Sequence, residues 1–175
     1  MKSRSLATSL AFALALGGAA TASAQTNPAA HAHHAAPAPA APSQDVPSAA
    51  QAAVSVVERF HTALVTGDLK SVGSLLSADV LILETGGAER SRDEYLGHHA
   101  IGDAKFLKGT HSEIKHRTAR IDGSLAWVGT ESELHASKDG KPMTLLSTET
   151  MVLKNTPAGW QIVHIHWSSR PKKAS

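Results

Sequence analysis

Gly159-Trp160-Gln161-Ile162-Val163-His164-Ile165-His166-Trp167-Ser168 is the stretch on which the fold turns. Side chains two apart on a strand share a face, so uniform alternation puts Trp160, Ile162, His164, His166 and Ser168 on one side and Val163, Ile165 and Trp167 on the other. One side has to look into an interior and the other has to be covered from outside. The alternation alone leaves open which is which.

The same period of two extends backwards from this strand. Four segments read as strands: roughly Ser112 to Ile121, Leu125 to Ala136, Pro142 to Leu153 and Trp160 to Ser168. Asp122-Gly123 and Asp139-Gly140 are hairpin turns between them, and 155–159 is a longer connection. Further upstream the period changes. From Ser48, a plausible cap, Ala52, Val56, Phe60, Ala63 and Leu64 recur at helical steps until Gly67-Asp68 breaks the run. A short second helix over Leu69 to Leu76 turns at Ser77-Ala78-Asp79 into a strand, Val80 to Glu84, followed by a Gly86-Gly87 turn. Ser91 stands three residues before Glu94, a capping-box pattern, and predicts a helix from Arg92 to about Leu107 with an interruption near Gly102. Helices followed by a four-stranded antiparallel meander make an α+β domain with the helices on one face, and a curved sheet wrapped over helices leaves a conical hollow suited to a ligand.

Ahead of this domain, Lys2 and Arg4, the apolar run from Leu6 to about Ala20 and the triplet Ala22-Ser23-Ala24 have the layout of a cleavable export signal over residues 1–24. The expected location is therefore periplasmic or secreted, and the apolar run is too short to predict stable membrane insertion. Removing the signal leaves 15 basic against 15 acidic residues, so no basic field points to nucleic acid. With no cysteine there is neither a disulfide framework nor a thiolate metal site. Residues 25–47 are dominated by Ala and Pro and read as a disordered tether; His31, His33 and His34 inside it could hold a metal ion loosely. The folded domain is expected over 48–170, with a frayed tail at 171–175.

Two pieces of sequence resemble a known group. Ser147-Thr148-Glu149-Thr150 followed by the strand from Gly159 to Ser168 resembles the closing strands of the NTF2-like superfamily, in its SnoaL-like and DUF4440 branch. The stretch is also similar to the association domain of calcium/calmodulin-dependent protein kinase II. Glu84-Thr85-Gly86-Gly87 with Ser91-Arg92-Asp93-Glu94-Tyr95 resembles small exported proteins of the same branch. The resemblance implies the NTF2-like cone, a curved antiparallel sheet packed on N-terminal helices around an internal pocket. It also implies a tendency to form a homodimer through the sheet, His164 and His166 turned inward, and Trp167 at a subunit interface. It does not imply one activity, because isomerases, cyclases, dehydratases, transport factors and noncatalytic assembly domains share the fold.

If those imidazoles face the hollow, Glu149 on the neighbouring strand can face it too. His164 and Glu149 are then the candidate catalytic pair, since a carboxylate beside an imidazole orients and stabilises its proton. His166, Trp127, Tyr95, Glu84 and His98 are the candidate ligand-binding residues, with His99 the alternative to His98 on the lid-like helix. Three readings compete for this cluster: a pocket for a small, largely apolar molecule, with or without proton transfer; a metal site built on His164 and His166; and a structural polar core in an assembly domain. No organic cofactor is called for. There is no Gly-x-Ser-x-Gly elbow, cysteine nucleophile or phosphate loop. His61, beside Phe60, reads as a partly buried surface residue.

Overall fold

The computed structural model describes residues 43–173; the expected signal and most of the expected tether lie outside the described residues. The chain order is β1 (Ser43–Asp45), α1 (Gln51–Thr66), α2 (Leu69–Leu75), β2 (Leu76–Glu84), β3 (Gly87–Glu89), α3 (Arg92–Gly97), α4 (His99–Lys108), β4 (His111–Asp122), β5 (Leu125–Lys138), β6 (Lys141–Thr156) and β7 (Gly159–Pro171). One seven-stranded sheet runs β1-β4-β5-β6-β7-β2-β3. The four-stranded meander is its centre, as its periodicity predicts. β2 joins the meander's edge parallel to β7, and β1 joins the far edge parallel to β4.

Local chemistry sets the element ends. Gly67 closes α1 in the left-handed region (φ 74°), where a Cβ would be strained, and the Asp68 side chain caps α2 by accepting from Ser71 N–H. Ser91 Oγ accepts from Glu94 N–H at 3.1 Å, while the Glu94 carboxylate accepts from Arg90 N–H at 2.7 Å. The capping box is therefore present with its return bond displaced by one residue. Three expectations are corrected. Ser48 lies in a 3-10 turn ahead of α1 rather than capping it. The helical segment after Ser91 breaks at His98, whose φ of −138° and ψ of −82° are not helical, and runs through Gly102. The end of the segment assigned to the tether is β1, tied to β4 by an ion pair between Asp45 and Arg120.

A layer of side chains joins helices to sheet. Val57, Phe60 and Leu64 of α1 and Tyr95 of α3 pack with Ile82, Val128, Met151, Leu153, Ile162 and Ile165, all fully or almost fully buried. No helix among the described residues is long and apolar enough to cross a membrane.

The decisive feature is in β7. Leu153 pairs with Ile162, but Val152 pairs with His164, so Val163 is an extra residue in the strand. A bulge of one residue exchanges the faces beyond it. Ile162 points to the helices, and so do Ile165 and Trp167, opposite Met151 and Glu149; His164 and His166 point away, opposite Val152 and Thr150. The expectation that both imidazoles face the hollow is thereby overturned. Energetics favour this outcome: burying an isoleucine contributes about 1.5–3 kcal/mol, whereas burying an imidazole without partners costs about 1–3 kcal/mol.

This register makes a direct prediction for urea unfolding. Ile165→Ala is expected to destabilise the domain by about 2–5 kcal/mol, and His166→Ala to change it by less than about 0.5 kcal/mol. Similar losses for the two variants would contradict the bulge.

Candidate functional site

Beyond the packed core, the sheet curves away from α1 and α4 and leaves a cavity of about 450 Å³. α1 supplies Glu58, His61, Thr62 and Val65; α4 supplies Asp103, Phe106 and Leu107; the sheet supplies Ile114, Arg117, Thr130, Leu134, Leu145, Glu149 and Trp167. Its size falls in the usual range for small-molecule sites, and mainly apolar walls with a few converging polar groups are their usual construction.

The polar groups converge on Glu149, which is only 9% exposed. Its Oε2 accepts from His61 Nε2 at 2.7 Å and from Trp167 Nε1–H at 2.7 Å. Its Oε1 is buried with no hydrogen-bond partner among the described residues. Burial opposes ionisation of this carboxyl, but the charge and hydrogen bond of His61, the indole N–H and nearby Arg117 outweigh it and hold the pKa below the ordinary glutamate value. Trp167 is fixed between aromatic neighbours, with ring centroids 6.3 Å from Phe60 and 6.2 Å from Tyr95. Arg117 is itself buried, donating from Nη1 to Glu58 Oε1 at 2.8 Å.

A second group of acids borders the cavity. Tyr95 O–H donates to Asp103 Oδ2 at 2.9 Å. Burial pushes the Asp103 carboxyl up, against the lowering effects of Tyr95 and His99. The Glu84 carboxyl is also raised, by burial first and by the Asp103 charge second, with His99 opposing. Burial and Asp103 push the Tyr95 phenol up as well, so it remains a donor.

Of the expected site residues, Glu149 and Glu84 line the cavity, and Tyr95 stands behind it against Trp167. His164, His166 and Trp127 lie on the opposite face of the sheet, because Trp127 pairs with Val152, which pairs with His164. His164 is a strand tie there: its Nδ1–H donates to the Leu81 carbonyl at 2.8 Å, joining β7 to β2. Trp167 is on the cavity side, so it cannot form an interface across the outer face. His98 is exposed and lies against His99 with the ring planes inclined at 56° and the centroids 4.6 Å apart; His99 is the one that faces the acids.

Two central residues escaped the sequence reading. His61 lies four residues after Val57 and three before Leu64, on the inward stripe of α1, which the helical period could have indicated. Arg117 was hidden by another irregularity, an extra residue in β4 between Ile114 and His116.

A pH dependence follows for Glu149. A carboxyl whose folded pKa is depressed stabilises the fold above its unfolded pKa, about 4.3 for glutamate, and loses that contribution as pH falls through the folded value. The difference in unfolding stability between the parent and Glu149→Gln is therefore expected to be widest near neutrality and to shrink below about pH 4. A pH-independent difference would contradict the ionised state assigned to Glu149.

Comparison with solved structures agrees with this architecture. A protein proposed to be a ketosteroid isomerase from Shewanella frigidimarina NCIMB 400 is 36% identical, with a TM-score of 0.66, over 70% of this chain and 99% of its own. The calcium/calmodulin-dependent protein kinase II hub of S. rosetta shares the fold at 20% identity, TM-score 0.59, over 76% of this chain and all of its own. An NTF2-like protein with a cystatin-like fold from Novosphingobium aromaticivorans does so at 16% identity, TM-score 0.58, over 67% of this chain and 79% of its own. No curated protein sequence matches. The SnoaL-like domain family matches residues 54–171, most of the described chain, and the protein belongs to that family.

Proposed function

We propose that the protein is exported, binds a small, largely apolar molecule in the cavity, and uses His61 with Glu149 to move a proton on it without an organic cofactor. The observation that carries this reading is the contact of His61 Nε2 with a buried Glu149 carboxylate at 2.7 Å in the cavity wall. A carboxylate accepting from Nε2–H fixes that tautomer, leaves the lone pair on Nδ1, and stabilises the imidazolium that forms when the ring takes a proton. The indole of Trp167 prevents Glu149 from turning away. His61 therefore replaces His164 as the partner of Glu149, and the chemistry stays in the class of isomerisation, cyclisation or dehydration.

In an isomerisation, His61 removes a proton from the carbon beside a carbonyl and returns it to the far end of the conjugated system, so atoms and charge balance. The similarity to the Shewanella protein makes a Δ5-3-ketosteroid a suitable first substrate. Native mass spectrometry of the exported chain is expected to find one small molecule retained per subunit, or one such steroid bound on addition. Formation of the conjugated enone, followed by ultraviolet absorbance, is expected to fall by about 10²–10⁴-fold in His61→Ala with binding preserved. Turnover unaffected by His61→Ala would exclude the proposed base; binding without any turnover would reduce the domain to a carrier.

One observation favours assembly alongside this. The outer face of the sheet exposes Trp127 (43%), Leu81 (38%) and Leu125 (46%). We infer that a second copy covers it, in keeping with the fold shared with the kinase hub. Sedimentation analysis is expected to give a dimer that Trp127→Glu converts to monomer; a dimer indifferent to this change would place the interface elsewhere.

A further inference from the structure

Beside the cavity, β2 and β3 form a hairpin in which Ile82 pairs with Glu89 and Glu84 with Gly87. Glu84 and Glu89 thus share the face turned to the helices. Gly87 leaves room between them, and the His99 ring, at the start of α4, comes within 3.9 Å of the position its Cβ would take. Both carboxylates approach the same atom: Glu84 Oε1 lies 3.3 Å from His99 Nδ1, and Glu89 Oε1 touches that nitrogen as well.

A proton on Nδ1 can be aligned with one carboxylate, and shared between two it makes a poorer bond to each. Neither approach has hydrogen-bond geometry, since His99 Nδ1 has no hydrogen-bond partner among the described residues. Glu89 is 3% exposed, and its Oε2 is also buried without a partner. The ion pairs made by Lys and Arg among the described residues involve Asp45, Glu58, Asp93, Glu113 and Glu133, never Glu84, Glu89 or Asp103. Three acids therefore gather around one imidazole with no basic side chain paired to any of them. A carboxyl buried in that position is held as an anion only with a cation beside it, a protonated His99 or a bound metal ion, and is otherwise neutral.

We propose that Glu84, Glu89 and His99 bind a divalent first-row transition cation. Their ligand atoms lie within 4.8 Å of one another. One imidazole nitrogen and two carboxylate oxygens suit zinc or manganese better than calcium or magnesium, which favour all-oxygen sets. The charge of the cation neutralises the two glutamates, and three protein ligands leave a coordination position for a fourth donor. Because Glu84 also lines the cavity, the ion is a Lewis acid available to the cavity's occupant. A second trio, Glu113, Glu133 and His135, also brings its ligand atoms within 4.8 Å of one another but is already neutralised: Lys115 Nζ lies 2.6 Å from Glu113, and Lys172 Nζ 2.7 Å from Glu133. The proposal goes beyond the His61–Glu149 reading and stands apart from it.

Calorimetric titration of the exported chain with zinc sulfate tests it, with His31, His33 and His34 replaced by Ala so that the segment ahead of the domain contributes no ligand. One equivalent is expected to bind, and thermal unfolding is expected to move to higher temperature in its presence. His99→Ala and Glu89→Gln are each expected to weaken binding by at least about tenfold, since losing even an outer partner of a metal ligand typically costs 10–100-fold. Glu113→Gln and His61→Ala are expected to bind zinc as the parent does, which separates this result from the fate of the proton-transfer proposal. If Glu89→Gln does not fold, as judged by circular dichroism, His99→Ala decides, its ring being 40% exposed. Binding of less than about a tenth of an equivalent, or undiminished affinity in His99→Ala, overturns the site.

Discussion

One inserted residue, Val163, governs what this domain can do. It exchanges the faces of β7 halfway along the strand, so that Ile162 before it and Ile165 and Trp167 after it all point to the helices. Without the bulge the strand could not bury both isoleucines and also bring an indole to Glu149. With it, the hydrophobic requirement of the core and the polar requirement of the cavity are met by a single strand. The imidazoles of His164 and His166 are displaced to the outer face by the same step, and His164 becomes a tie between β7 and β2.

The polar centre follows from a second constraint, that a buried carboxylate must be stabilised by donors and positive charge. Glu149 has both, from α1 through His61 and from β7 through Trp167. The aromatic packing of Trp167 between Phe60 and Tyr95 makes this donor rigid. The carboxylate consequently remains ionised while Asp103, a short way along the wall, is pushed toward the neutral form by burial. Acids with pKa values displaced in opposite directions around one cavity are the usual setting for proton transfer, where one group must hold charge and another must give up a proton.

The hairpin of β2 and β3 has the opposite character. There the carboxylates outnumber the available donors, and the nearest imidazole is crowded rather than hydrogen-bonded. Glu149 and Glu89 are both buried, yet only Glu149 is met by donors from two separate elements. That contrast is the physical reason for reading one as a proton-transfer group and the other as a metal ligand.

The sequence by itself determined the α+β class, the four-stranded meander, the capped start of α3 and the resemblance to the NTF2-like superfamily. The class, the meander and the cap depend on short-range periods and on turn and cap residues, whose preferences act within a few positions; the resemblance rests on the particular residues of 147–150 and 159–168. The sequence also singled out Glu149 and Glu84, which keep the alternation of their own strands. Tertiary structure alone decided that Arg117 belongs to the site, that His61 on the inward stripe of α1 meets Glu149, and that His164, His166 and Trp127 lie outside it. The reason is that a bulge is set by pairing with a neighbouring strand, so nothing in the run from Gly159 to Ser168 marks Val163 as the extra residue. A strand's alternation names two faces, and only packing against the helices selects which of them becomes the interior.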